Sequence, residues 1–284
     1  MRTLGTMAET AAFQATAPSP VILVPTMGAL HAGHAALIDA ARARAGRNGT
    51  VIVSIFVNPT QFGPNEDLAK YPRTMEADLE MCSTHGADAV FAPTADEMYP
   101  PGDSTFVDET KLSRGLCGAQ RPGHFRGVCT VVAKLFNIIR PDAAIFGEKD
   151  YQQLAIVRRM ARDLFFNLEI IGHPTVREAD GLAMSSRNRY LDADERKRAA
   201  AFPAALSTAA QENDPGQIMA KATALITNGT GSAPQYVELV DAETLAPLAP
   251  LAALERPAVL AAAVKIGETR LIDNVRLAPR HAKV

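Results

Sequence analysis

The sequence of 284 residues is poor in cysteine and carries no excess of positive charge. Cys82, Cys117 and Cys129 are an odd number without C-x-x-C spacing. They read as reduced thiols, not as a disulfide framework or a zinc site. Lys plus Arg number 29 against 31 Asp plus Glu, a formal charge of -2. That balance lacks the basic face of a dedicated nucleic-acid binder and points to small-molecule partners. No apolar run is long enough to cross a bilayer, and Glu9 and Gln14 interrupt the only early stretch that resembles a leader. Neither a membrane span nor a signal peptide is therefore expected, and the reading is a cytoplasmic protein. Internal repeats, low-complexity blocks and long charge runs are lacking as well.

What is present is enough apolar material, 47% of residues, to fill one large core and one small one. Short β-branched runs at Val21 to Val24, Val51 to Val57, Ala89 to Ala92, Ala143 to Phe146 and Leu168 to Ile171 read as strands. Between them, His34 to Arg44, Met75 to His85, Val128 to Ile139 and Tyr151 to Phe165 carry apolar residues at helical spacing. Strands alternating with helices predict an α/β fold with a doubly wound parallel sheet. After Pro174 the layout changes. Helical segments at Ala193 to Glu212, bent or restarted by Pro203, and at Gly216 to Thr227 precede strands at Gln235 to Val240, Ala258 to Val264 and Thr269 to Arg276. This predicts two domains, residues 1–176 and a smaller α+β domain over residues 177–284, with Ala242 to Pro257 as helix and loop filler.

The polar clusters follow the strands, where open α/β sheets bind ligands. Thr26-Met27-Gly28-Ala29-Leu30-His31-Ala32-Gly33-His34 leads from a strand into a helix. Free backbone N–H groups and the helix dipole favour an anion there, and the glycines permit close approach. Two imidazoles three residues apart can face the same anion. Met184-Ser185-Ser186-Arg187 offers two hydroxyls and a guanidinium, a donor set suited to phosphate oxygens. In Gly147-Glu148-Lys149-Asp150, Lys149 can neutralise a triphosphate and Asp150 can accept from ribose hydroxyls. Asn58, Gln61 and Gln153 are neutral amides suited to the hydroxyls and carboxylate of a polar acid, while Arg121, His124 and Arg126 supply cationic groups before the next helix. Glu76 and Asp78 are conceivable magnesium ligands, but an exposed helix face accounts for them more simply.

In order along the chain these motifs resemble the pantothenate synthetases, or pantoate-beta-alanine ligases. The markers are Pro25 through His34, Val53-Ser54-Ile55-Phe56-Val57-Asn58-Pro59 with Gln61-Phe62-Gly63, Tyr71-Pro72-Arg73-Thr74, Arg121-Pro122-Gly123-His124-Phe125, Gly147 through Gln153, Asp180 through Asn188, and Arg270-Leu271-Ile272-Asp273-Asn274. The resemblance implies a Rossmann-like sheet of nucleotidyltransferase type. It also implies a two-step reaction, pantoate plus ATP giving pantoyl adenylate and pyrophosphate, then β-alanine giving pantothenate and AMP, with Mg2+ and a homodimer.

Carried over by motif, Met27, Gly28, Ala29, Leu30, His31, Ala32, Gly33 and His34 border ATP, with His34 as proton donor and His31 beside it. Gly147, Glu148, Lys149, Asp150, Val176, Met184, Ser185, Ser186 and Arg187 complete the nucleotide site. Gln61 and Gln153 fall where the family binds pantoate, and Asn58 and Arg121 are grouped with them. Thr60 stands where the family often has Met, and residues 108–120 form a brief segment, so altered loop packing is expected. Residues before Val21 show no clear strand or helix. Three rivals remain at this level: another nucleotidyltransferase, a class I aminoacyl-tRNA synthetase, which lacks room here for a tRNA-reading domain, and a non-catalytic nucleotide sensor.

Overall fold

The computed structural model describes residues 1–64, 66–249 and 254–280. In chain order its strands and helices are β1 Arg2–Leu4, α1 Met7–Gln14, β2 Val21–Thr26, α2 Ala32–Ala45, β3 Thr50–Ile55, α3 Met75–Thr84, β4 Ala89–Phe91, α4 Ala95–Met98, α5 Leu116–Gln120, α6 His124–Ile139, β5 Ala143–Gly147, α7 Tyr151–Asp163, β6 Glu169–His173, α8 Ala193–Ala199, α9 Ala201–Ala209, α10 Pro215–Thr230, β7 Pro234–Asp241, β8 Ala258–Ile266 and β9 Thr269–Leu277.

The chain forms two compact units. The first comprises residues 1–111, 121–148 and 156–174, and the second comprises residues 112–120, 149–155 and 175–284. A single boundary at residue 176 misses this discontinuity. The reason is polar: Gln152 Nε2 donates to the carbonyls of Leu112 and Gly115 at 2.8 and 2.9 Å, and its Oε1 accepts from Cys117 N at 3.0 Å. Tyr151 Oη donates to Ala242 O at 2.9 Å. Those contacts give the first turn of α7 and the segment 112–120 to the second unit, whereas sequence periodicity sees only one more crossover helix.

In the first unit, six parallel strands lie in the order β1-β4-β3-β2-β5-β6. The chain winds outward from β2 through β3 to β4, then returns to β5 and β6, so the loops after β2 and β5 border the point where winding reverses. Both faces are covered, as parallel sheets require. Ile22, Val24, Val51 and Val53 pack with Leu37, Ile38 and Ala41 of α2, while the oppositely directed Leu23 and Ile52 are fully buried too. This is the expected α/β class with its doubly wound parallel sheet.

Several boundaries move for local reasons. β3 ends at Ile55, not Val57, because the chain turns into a 3-10 turn at Pro59–Gln61 capped by Asn58. α6 starts four residues earlier than its apolar stripe, behind Gly123 in a left-handed conformation at φ 82°. The N-terminal residues, whose structure the sequence leaves open, form β1 paired with β4, then α1 behind a capping box in which Thr6 and Glu9 bond each other's backbone N–H. The T-x-x-E signal was available in the sequence.

The second unit contains the antiparallel sheet β7-β8-β9. Phe202, Leu206, Ile218, Ala222 and Ile226 of its helices pack on Leu260, Val264 and Leu271. The chain breaks between α8 and α9, which leaves Pro203 in the first turn of α9, where a missing N–H costs nothing. Residues 242–257, expected as helix and loop, contain no helix among those described, and residues 250–253 lie outside them. All three cysteines are buried free thiols.

Candidate active site

The loop between β2 and α2 takes two consecutive left-handed residues, Gly28 at φ 79° and Ala29 at φ 50°. A Cβ at Gly28 would sit 3.0 Å from Asp78 Oδ2 and 3.1 Å from Ile55 Cγ2, so glycine is needed for both conformation and space. Asp78, on α3 and only 2% exposed, accepts from Ala29 N at 2.9 Å and Leu30 N at 2.8 Å, and Thr74 Oγ1 donates to it at 3.1 Å. Neither expectation for Asp78 holds: it is not on an exposed face, and its carboxylate clamps the loop. Glu76 lies exposed in the same first turn, as its sequence context suggests.

His31 caps α2. Its Nδ1 accepts from Gly33 N at 3.1 Å, while His34 Nδ1 accepts from His31 N at 3.3 Å. A ring nitrogen that accepts a backbone N–H carries no proton, so each neutral imidazole is protonated at Nε2. The two rings lie 4.1 Å apart between centroids. The N–H groups of Gly28 and His34 also have internal acceptors, Thr26 Oγ1 and His31 O. The expected free backbone donors at this helix start are thus largely satisfied within the loop. The groups suited to an anion are the imidazole Nε2–H bonds.

After β3, Asn58 is 1% exposed and its amide orientation is fixed by backbone. Its Oδ1 accepts from Thr60 N at 3.3 Å, and its Nδ2 donates to Gly127 O at 3.1 Å. The same Nδ2 donates to Gln61 Oε1 at 3.0 Å. Gln61 must then turn its donor Nε2 away from Asn58, and it points at Met27 Sδ, 3.0 Å away. Gln61 offers a donor, the polarity a carboxylate or hydroxyl oxygen needs. Thr60 Oγ1 and Tyr99 Oη also donate to Asn58 Oδ1, at 2.9 and 2.8 Å. The Thr60 hydroxyl thereby makes a bond that methionine could not. Burial pushes the Tyr99 phenol up, which keeps it a donor.

Gly127 makes this turn possible. A Cβ there would meet Thr60 O at 2.4 Å and Gln61 Cα at 2.7 Å. The other expected cation, Arg121, forks onto Glu66, with Nε to Oε1 at 2.7 Å and Nη2 to Oε2 at 2.6 Å, and its Nη1 meets His124 Nε2 at 3.0 Å. His124 Nδ1 in turn bonds Gln61 O at 2.8 Å. Arg121 thus braces the segment around Gln61. Burial alone would raise the Glu66 carboxyl, but the hydrogen bonds and charge of Arg121 outweigh it and hold it below the usual range. Arg126 stacks over Phe106, 5.0 Å from the ring centre.

In the second unit, Lys149 follows Gly147 and Glu148 in a 3-10 turn, with its Nζ 3.8 Å from Asp150 Oδ2. Its carbonyl accepts from Asn274 Nδ2 at 2.9 Å. Gln153 is half-buried on α7, while its neighbour Gln152 is buried and occupied with residues 112–117. Val176 and Met184 are brought together, the latter's N–H donating to the former's carbonyl at 2.9 Å across a tight hairpin. Ser185 caps the following 3-10 turn Ser186–Tyr190, its Oγ accepting from Arg187 N at 3.3 Å. Ser186 is buried within that turn and Arg187 half-buried.

Sequence reasoning missed Asp78 as a clamp, and with it Tyr99, Gly127, Gln152 and the roles of Asp273 and Asn274. The R-L-I-D-N motif was a visible signal without a visible purpose.

The family described as Pantoate-beta-alanine ligase matches residues 1–276. The pantothenate synthetase of Sphingopyxis alaskensis is 56% identical over 259 residues, covering 90% of this chain and 91% of that protein. The crystal structure of pantothenate synthetase from Thermus thermophilus superposes with a TM-score of 0.89 at 44% identity, covering 98% of this chain and all (100%) of the other. A pantoate-beta-alanine ligase from Francisella tularensis, solved as a complex with beta-gamma ATP and beta-alanine, gives 0.78 at 34% identity over 97% of both chains.

Proposed function

The chain belongs to the pantoate-beta-alanine ligase family and is a ligase, and from that premise we propose that it condenses pantoate with β-alanine at the expense of ATP through pantoyl adenylate. The observation that carries this reading is the polarity of the first unit's groups. His31 and His34 both keep Nδ1 on the backbone and Nε2 protonated, while Gln61 turns an N–H toward Met27. Such donors suit oxygen-rich ligands.

In the first step a pantoate carboxylate oxygen attacks the α-phosphorus of ATP, the bond to the β-phosphate bridging oxygen breaks, and pyrophosphate leaves. His31, Lys149, Ser186 and Arg187 offset the phosphate charge, and His34 supplies the donor for the leaving oxygen. Gln61 and Gln153 hold the acid, with Asn58 and Arg121 fixing Gln61. In the second step the β-alanine amine attacks the acyl carbon, sheds a proton, and the bond to AMP breaks. Catalysis is then chiefly positioning and preorganised electrostatics.

The described residues form no cluster of three or more His, Cys, Asp or Glu able to hold a metal. Mg2+ usually arrives on phosphates with most of its waters and takes one or two carboxylates. Asp150, beside Lys149 and half-exposed, fits that demand. When bound, the ion supplies charge neutralisation for the pyrophosphate. A homodimer and cytoplasmic residence belong to the same reading. No helix among the described residues is long and apolar enough to cross a membrane.

The test is ATP–pyrophosphate exchange with candidate acids, followed by AMP release on adding β-alanine. Exchange should require pantoate, and exchange indifferent to it overturns the reading. His34→Ala and Lys149→Ala should each lose about 10² to 10³-fold in kcat, the scale for removing one charge-stabilising donor.

A further inference from the structure

We propose that Asp273 and Asn274 on β9 are a pair of positioning residues that hold Lys149 and the Ser185–Arg187 segment in a fixed relation. The proposal rests on the reading of those groups as phosphate ligands. It begins from a motif that the reaction itself leaves unexplained, a buried Asp-Asn pair in a strand where apolar alternation would be enough for packing. Asp273 is 3% exposed and Asn274 is 8% exposed.

Neighbouring residues in a strand project to opposite faces. Asn274 uses its face to donate from Nδ2 to the main-chain carbonyl of Lys149 at 2.9 Å. Asp273, on the face of Leu271 and Leu277, receives both arms of Arg177, Nη1 to Oδ2 at 2.7 Å and Nη2 to Oδ1 at 3.0 Å. The hydrogen bonds to Asp273 raise the Arg177 guanidinium against the opposing effect of burial, which keeps the arginine a donor.

Arg177 is no remote anchor. Its Nη1 also donates to Gly181 O at 3.1 Å, and its backbone bridges to Ala183 in the hairpin that joins Val176 to Met184. The turn Ser186–Tyr190 that follows packs on β9 itself. One strand therefore grips the lysine turn on one face and the serine-arginine arm on the other. The register is continuous here, Asp273 opposite Ala262 and Asn274 opposite Ala261 on β8, so neither side chain can trade faces without a slip of the whole strand.

A double-mutant cycle tests this, with pantoate-dependent ATP–pyrophosphate exchange, the KM for β-alanine and Tm measured for each variant. Asn274→Ala should lower kcat for exchange about 10-fold, a modest share of what displacement of a catalytic group can cost. It should leave the KM for β-alanine unchanged. In the Lys149→Ala background the same change should cost no more than about 2-fold, because the group it positions is gone. Asp273→Asn should show the same coupling to Arg187→Ala.

Losses that multiply in both cycles, or an Asn274→Ala enzyme with native exchange, overturn the proposal, since a role confined to folding would be independent of Lys149. If Lys149→Ala itself leaves exchange intact, the phosphate reading falls and this pair with it. A variant that does not fold is replaced by Asn274→Ser or Asp273→Glu, read against the same outcomes.

Discussion

The loop Met27–Leu30 and the turn Glu148–Asp150 each follow a parallel strand and each carry residues read as phosphate ligands, yet they are held with opposite polarity. In the loop, two successive left-handed residues turn adjacent N–H groups toward one point, a geometry that binds anions. The protein's own Asp78 occupies it. In the turn, a neutral amide, Asn274, satisfies a carbonyl. The loop is strained and depends on a buried charge. The carbonyl of the turn is held by an uncharged amide, with Gln152 adding three neutral bonds behind it. A glycine-bearing loop at a helix start thus need not offer its backbone to an anion, and in the proposed reading that contact falls to the imidazoles.

The largest effect should come from removing the charged clamp. Asp78→Ala leaves the N–H groups of Ala29 and Leu30 buried without an acceptor and should cost about 3 kcal/mol in urea unfolding, with activity falling alongside. A loss no greater than that of an exposed carboxylate would break the contrast. Next, Gln152→Ala should cost about 2 kcal/mol and speed amide exchange at Cys117 while leaving Leu30 protected. Equal acceleration at both positions would mean that loop and turn are not independently held.

Smaller again is the brace on Gln61. Glu66 has its folded pKa below the ordinary value of 4.5, so its pairing with Arg121 stabilises the fold fully above that value. The contribution disappears as pH falls through the lowered folded pKa. Glu66→Gln should remove about 1 kcal/mol at pH 7 and flatten that part of the acid limb, and an unchanged acid limb counts against the pairing.

The smallest effect concerns Cys82, whose thiol is pushed up to about 12 by burial first and by Asp78 second. Native protein at pH 8 should resist iodoacetamide at this site. Asp78→Ala should raise labelling only slightly while the fold persists, since burial dominates, and a large rise would show that the clamp also seals α3.

What was legible in the sequence was local. Turn chemistry after a strand exposed the histidine loop and Lys149, and helical periodicity exposed α2, α3, α6 and α7. What stayed hidden depends on distant partners. Asp78 meets Ala29 across 49 positions, Tyr99 meets Asn58 across 41, and Asn274 meets Lys149 across 125. A carboxylate in an amphipathic helix reads as solvent-facing until a neighbouring loop presents two N–H groups to it. Arg121 read as an open cation for the same reason, because Glu66 lies 55 residues away. The helix before residue 21 was legible through Thr6 and Glu9, a capping signal that composition alone obscures, whereas β1 shows itself only by its pairing with β4.

Gly127 has a consequence of another kind. Nothing chemical happens at its Cα, and it lies within an ordinary helix, yet one added methyl would collide with the carbonyl of Thr60. In a library that samples every amino acid along α6, outward-facing positions should accept broad replacement, while position 127 should admit no alternative. Such a blank column would look like the mark of a reacting residue, when it records only the thickness of a helix against a turn.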